Sequence, residues 1–185
     1  ILISAEHDHI NVFPTEVDYI IPYSRLISLL PKNGTIVASY SGKNVSKLVK
    51  KAKCEVVTYG LNEKADYYTF NIAYGIKTSF DLMHQNKKIV KLETSMLGTH
   101  NIENIIAVSA MILEKKMLTV NELQKAIKSF NGLSGRIDLK TKKSTVLVYE
   151  GFGSSYSKAK SVFDALKLHY LKNGIKIFLI HQKKS

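Results

Sequence analysis

The 185-residue chain predicts an α/β fold in two units, and three patterns carry that expectation. Over residues 1–60, short apolar runs alternate with stretches of helical spacing, as in a parallel sheet with crossover helices. From 66 to 93 the apolar period changes to two, as in antiparallel hairpins. After a Gly- and Ser-rich stretch, Asn131-Gly132-Leu133-Ser134-Gly135, a second strand–helix–strand pattern begins. The predicted domain boundary lies there, with 1–133 in one unit and 134–185 in the other. About 50 residues are too few for an ordinary second α/β domain, so that unit is expected to be truncated.

The elements follow in order. Ile1-Leu2-Ile3-Ser4 reads as a buried parallel strand running into Ala5-Glu6-His7-Asp8-His9, where such sheets place their ligand crevice. Four acid, base or ligand residues in a row make a candidate site, against the alternative of a solvated turn. Thr15-Glu16-Val17-Asp18 starts a helix that Pro31 and Gly34 stop, and Pro22 either kinks it or marks its true first turn. A strand at 35–40, a short basic helix at 44–52 and a strand at 54–59 come next. The hairpin strands are expected at 67–73, 77–83 and 89–92, with His84 at the surface beside a polar turn. A central helix opens at Leu97-Gly98-Thr99-His100-Asn101-Ile102-Glu103-Asn104, with one apolar stripe through Ile102, Ile105, Ile106, Ala110 and Leu113. Its two Asn, three apart, share a face at a helix N-terminus, where free N–H groups meet anions. Capping alone would also explain them. Thr119-Val120-Asn121-Glu122 is a capping box opening another helix. Beyond the linker, strands at 136–139 and 145–150, a helix at 157–172 capped by Asn173-Gly174, and a buried strand at 175–181 complete the pattern.

Composition narrows the function. With 45% hydrophobic and 23% charged residues the chain can form a core. A net charge of +12 suits nucleotide-sugar or polyphosphate substrates as well as nucleic acid. The 27 Lys and Arg are scattered, which reads as solvated surface rather than a nucleic-acid face. The single Cys54 excludes an intrachain disulfide and a cysteine metal cage, and suits a cytoplasmic protein. No apolar run approaches the roughly 18 residues of a membrane span. The chain starts at Ile1 without Met, so it is expected to begin within a longer protein. Two phosphate-cradle patterns fail. Gly34 and Gly42-Lys43 are eight apart rather than five, with Asn44 in place of Ser or Thr, and Gly151-x-Gly153 lacks its third glycine.

Three motifs in register carry a resemblance. Glu6-His7-Asp8-His9 looks like the Glu-x-Asp-His element of the Mur ligases that act on UDP-N-acetylmuramate. Gly98-Thr99-His100-Asn101-Ile102-Glu103-Asn104 looks like that family's Gly-x-His-Asn-x-x-Asn, and Ser134-Gly135-Arg136-Ile137-Asp138 is similar to its Arg-Arg-Phe-Asp turn. The resemblance implies the second half of the central ATPase domain, a parallel sheet with antiparallel hairpins and flanking helices, followed by the start of a Rossmann-like C-terminal domain. It implies ATP and Mg2+ as cofactors. His9 would ligate magnesium near the γ-phosphate. Asn104 would read the adenine edge, with His100 and Asn101 shaping that pocket. Arg136 would reach the phosphates, and His9 and Arg136 would be the catalytic residues. The implied reaction activates the muramoyl carboxylate as an acyl phosphate, which an amine then converts to an amide.

Of the amines, the tripeptide L-Ala-γ-D-Glu-meso-diaminopimelate is favoured by the Glu-x-Asp-His and hairpin likeness, with L-alanine close behind. No nucleic-acid or membrane partner is implied, and oligomeric state is not legible. Glu150-Gly151-Phe152-Gly153-Ser154-Ser155-Tyr156 departs from the family's Asp-Asp-Tyr-Ala-His-His-Pro: the second carboxylate is Gly151 and both histidines are serines. Those serines read as caps of the following helix. The loss motivates one alternative, a non-catalytic homologue, and the charge motivates another, a basic nucleic-acid-binding module. The chain alone is expected not to turn over.

Overall fold

The computed structural model describes residues 1–141, 145–151 and 156–170. The expectations for the loop at 152–155, the helix end at 171–172, the cap at Asn173-Gly174 and the strand at 175–181 lie outside them. Twelve elements are described: α1 (Glu16–Ser28), β1 (Thr35–Ser39), α2 (Val45–Val49), β2 (Glu55–Tyr59), β3 (Tyr67–Ala73), β4 (Thr78–His84), β5 (Lys87–Thr94), α3 (Thr99–Glu114), α4 (Val120–Ser129), β6 (Asp138–Leu139), β7 (Tyr149–Glu150) and α5 (Tyr156–Tyr170).

One mixed sheet in the order β1-β2-β3-β4-β5 organises them. The β1–β2 and β2–β3 pairs are parallel and the β3–β4 and β4–β5 pairs antiparallel. The parallel half and the hairpins therefore belong to one layer, joined by a single register pair, Tyr59 opposite Tyr67. No helix separates β2 from β3. A second, two-stranded sheet pairs β6 with β7, each only two residues long and shorter than the sequence pattern suggested.

The core lies between this sheet and α3. Val37, Tyr59, Tyr67, Phe80, Leu82 and Leu92 from the strands meet Ile102, Ile105, Ile106 and Ala110 from the helix. That is the apolar stripe of the sequence, buried on one side as its spacing requires. A smaller cluster packs Ile27 of α1 and Leu48 of α2 against Ile36 and Ala38 on the other face of the sheet. Thr15 and Thr119 both form complete capping boxes, with Asp18 and Glu122, so the two helix starts follow from local chemistry.

Two expectations are corrected and one alternative is resolved. Ile1-Leu2-Ile3-Ser4 is not a buried strand: only Leu2 bridges β1, opposite Ala38, while Ile1 and Ile3 are more than half exposed. A continuous apolar run cannot report which of its faces will find cover. Pro22 sits inside α1 as expected, and of its two expected roles that of marking the first turn is removed. His84 is only partly exposed, since its ring stacks on Tyr67 at 4.1 Å and 7° and its Nε2 lies 4.0 Å from Glu114. Among the described residues, no helix is long and apolar enough to cross a membrane.

Candidate nucleotide site

The site gathers at the N-terminus of α3. Gly98 is the N-cap, with φ +89° and no side-chain cap. Asn101 donates its side-chain amide to the Leu97 carbonyl at 2.8 Å, so this residue is partly spent on holding the turn. His100, Asn101 and Asn104 line a cavity of about 1410 Å³, together with Arg136 from the linker, Tyr149 of β7 and Lys158 of α5. Ile127, Phe130 and Leu133 supply apolar wall. Four of the five residues singled out from sequence thus meet on one concave surface. The mixture of apolar lining and a few amide, imidazole and cationic groups is what a nucleotide base with attached phosphates requires.

Burial of His100 lowers its imidazole pKa, keeping the ring neutral over a wider range. Burial raises that of the Glu103 carboxyl for the same reason with opposite sign. Arg136 follows Gly135, whose φ is +73°, and its backbone N–H donates to Leu133 at 3.2 Å. The Asp138 carboxylate accepts from Lys140 at 2.7 Å, and Lys140 also reaches Glu150 at 2.8 Å. Those two hydrogen-bonded carboxylates raise the Lys140 pKa. Glu150, the carboxylate retained from the paired acidic motif, is thus occupied by a salt bridge. At Gly151, where the second carboxylate of that motif is absent, a Cβ would stand 3.1 Å from both Val162 methyl groups. A side chain at 151 would require the Val162 side chain to give by a few tenths of an ångström.

His9 is the exception. It does not line the cavity. Its side chain is 68% exposed, at φ +55°, in a turn where its carbonyl accepts from Val12 and Phe13. The turn is anchored through Ala5, whose carbonyl accepts from Asn44 at 3.1 Å, and through His7 Nε2, 2.7 Å from the Phe13 carbonyl. Asp8 has a lowered pKa, chiefly because it accepts the His9 N–H at 2.8 Å, with the charges of His9 and Lys158 adding smaller effects. Lys158 thus lines the cavity and also acts on the Asp8 carboxylate. Among the described residues, no three His, Cys, Asp or Glu converge to hold a metal.

The profile of the Mur ligase middle domain matches residues 1–112, more than half of the chain. The chain belongs to the Mur ligase family. A UDP-N-acetylmuramate–L-alanine ligase of Clostridium botulinum is 30% identical over 184 residues, 98% of this chain but 39% of that relative's length. The fold is also that of MurF from Acinetobacter baumannii, with a TM-score of 0.77 at 15% identity over 90% of this chain and 36% of the other. It is similarly that of the UDP-N-acetylmuramate-alanine ligase MurC from Thermotoga maritima, at 0.74 and 16% over 92% and 38%. This Mur ligase chain spans less than two fifths of the length of these proteins.

Sequence reasoning missed two contributors. Ser161 and His169, both on α5, approach the start of α3 from more than 60 residues away. Helical spacing alone does not tell which neighbour a face will meet.

Proposed function

We propose that this chain supplies the adenine-binding wall and the interdomain linker of an ATP-dependent ligase that joins an amino acid or peptide to UDP-N-acetylmuramate. The observation that carries the reading is the meeting of His100, Asn101 and Asn104 with Arg136 on one cavity, in a chain of this family. Residues 1–133 form part of the ATP-binding unit in this reading and 134–185 belong to the next, in a cytoplasmic enzyme.

The residues fit a nucleotide. No partner for the Asn104 side-chain amide is seen among the described residues, and it opens on the cavity. An amide offers one donor group and one acceptor, matching the paired edge of adenine. Neutral His100 and the apolar residues of α4 and the linker bound the base. Of the cations that line the cavity, Arg136 and Lys158 would meet the phosphates, where a guanidinium spreads developing charge in phosphoryl transfer. Bound ATP supplies the phosphoryl group that turns a carboxylate into an acyl phosphate open to attack by an amine.

Magnesium fits less well. His9 offers one nitrogen, whereas this ion prefers oxygen donors in an octahedral shell. His9 would be a single ligand beside phosphate oxygens and water.

L-alanine has gained on the tripeptide as the amine, since the Clostridium botulinum relative bears that name. The test is phosphate release by the complete ligase containing this chain, given ATP, magnesium and UDP-N-acetylmuramate, with L-alanine and the tripeptide offered separately. Release with one amine supports the reading and chooses the substrate. Nucleotide binding without release with either would favour the non-catalytic homologue, for which Gly151 is the specific observation.

A further inference from the structure

We propose that His169 is a positioning residue, a neutral imidazole that clasps α5 to the first turn of α3 and so keeps the α5 wall of the cavity in place. His169 is 4% exposed. Its Nδ1 lies 2.7 Å from the Gly75 carbonyl oxygen, which can only accept, so Nδ1 carries the proton. Its Nε2 accepts the Gly98 N–H at 3.2 Å, so that nitrogen carries none. Both ring nitrogens are thereby committed, to backbone groups 94 and 71 residues away, and the tautomer follows from the two partners. The Tyr74 ring closes edge-on at 5.4 Å, and the Tyr74 hydroxyl meets the Thr99 hydroxyl at 3.2 Å.

The clasp is one end of a stripe. Ser161, Ala165 and His169 recur every four residues on α5 and share a face. Ser161 Oγ approaches His100 Nδ1 at 3.4 Å, and a Cβ on Gly98 would come within 2.6 Å of the Ala165 Cβ. Glycine at 98 is thus required twice, for its φ and for the closeness of α5. The same face carries Lys158 and Val162, which line the cavity opposite His100 and Asn104. The buried Gly98 N–H is satisfied by the imidazole from a distant helix. The contact itself does not depend on ligand identity; its consequence for binding rests on the nucleotide reading above.

Imidazole nitrogen resonances of the 15N-labelled chain, without nucleotide at neutral pH, test the clasp directly. A neutral His169 with its proton fixed on Nδ1 is expected. A ring protonated on Nε2, or averaging between tautomers, overturns the proposal. His169→Gln keeps a donor and an acceptor, whereas His169→Phe keeps neither. Titration with ADP should then show affinity about tenfold weaker for the Phe variant and within about twofold of wild type for the Gln variant. Wild-type affinity in the Phe variant would overturn the positioning role. If the wild-type chain binds no ADP, the nucleotide reading fails, while the tautomer still decides the clasp.

Discussion

Glu103 stands at a variable position of the Gly-x-His-Asn-x-x-Asn stretch and touches the physics of the site more than its position suggests. Burial raises its carboxyl pKa above the ordinary 4.5, and Tyr59 beside it is pushed up to about 12, first by its own burial and then by the Glu103 charge. A raised folded-state pKa means that the folded chain binds the proton more tightly than the unfolded one. The associated stability is present below the unfolded value of 4.5 and is lost as pH rises through the folded value. Glu103→Gln should therefore be more stable than wild type at neutral pH and lose that part of the pH dependence. Urea unfolding across the acidic-to-neutral range checks this, and equal slopes for both proteins would refute it. That His100, Asn101 and Asn104 form one candidate cluster was legible because His, Asn and Asn are crowded into five positions at one helix start. His169 was not, because nothing near it in sequence marks it: its meaning comes from a carbonyl at Gly75 and an N–H at Gly98.

At the scale of elements, β4 shows what a sheet centre demands. Thr78 is fully enclosed, opposite Thr94 on β5, and its hydroxyl finds no partner among the described residues. Thr94 differs, since its hydroxyl accepts the Met96 N–H at 3.1 Å. Removing an unsatisfied buried hydroxyl while keeping the shape should help, so Thr78→Val is expected to raise stability by up to about 1 kcal/mol. A lower urea midpoint in that variant would mean that the hydroxyl is satisfied. Most element positions were legible for local reasons: period two in β3 and β4, capping boxes at α1 and α4, and the stripe of α3. The union of β2 and β3 was not, because one residue pair joins them and a one-pair join leaves no periodic trace.

For the whole molecule, the question is which part of the chemistry these 185 residues can perform by themselves. The glycines that invite comparison with a phosphate cradle do not form one. A Cβ on Gly42 would fall 2.2 Å from the Ile3 carbonyl oxygen, Asn44 is bonded to Ala5 and Glu16, and Lys43 lies 3.9 Å from Glu16. These groups tie the 5–9 loop to α1 instead of facing outward as a nest of N–H donors. The wall proposed for the base, by contrast, is built by α3, α4, the linker and α5. Binding and turnover should consequently separate: the chain is expected to bind ADP and ATP through the base and to release no phosphate from ATP with magnesium. Calorimetric titration with each nucleotide, beside a phosphate-release assay on the same preparation, measures both. Magnesium-dependent phosphate release would show that the described residues hold a phosphate-transfer site this geometry does not reveal. Because Arg136 reaches the cavity from the linker, Arg136→Ala should weaken ATP more than adenosine, whereas Asn104→Ala should weaken both alike, since cation and amide meet different ends of one ligand.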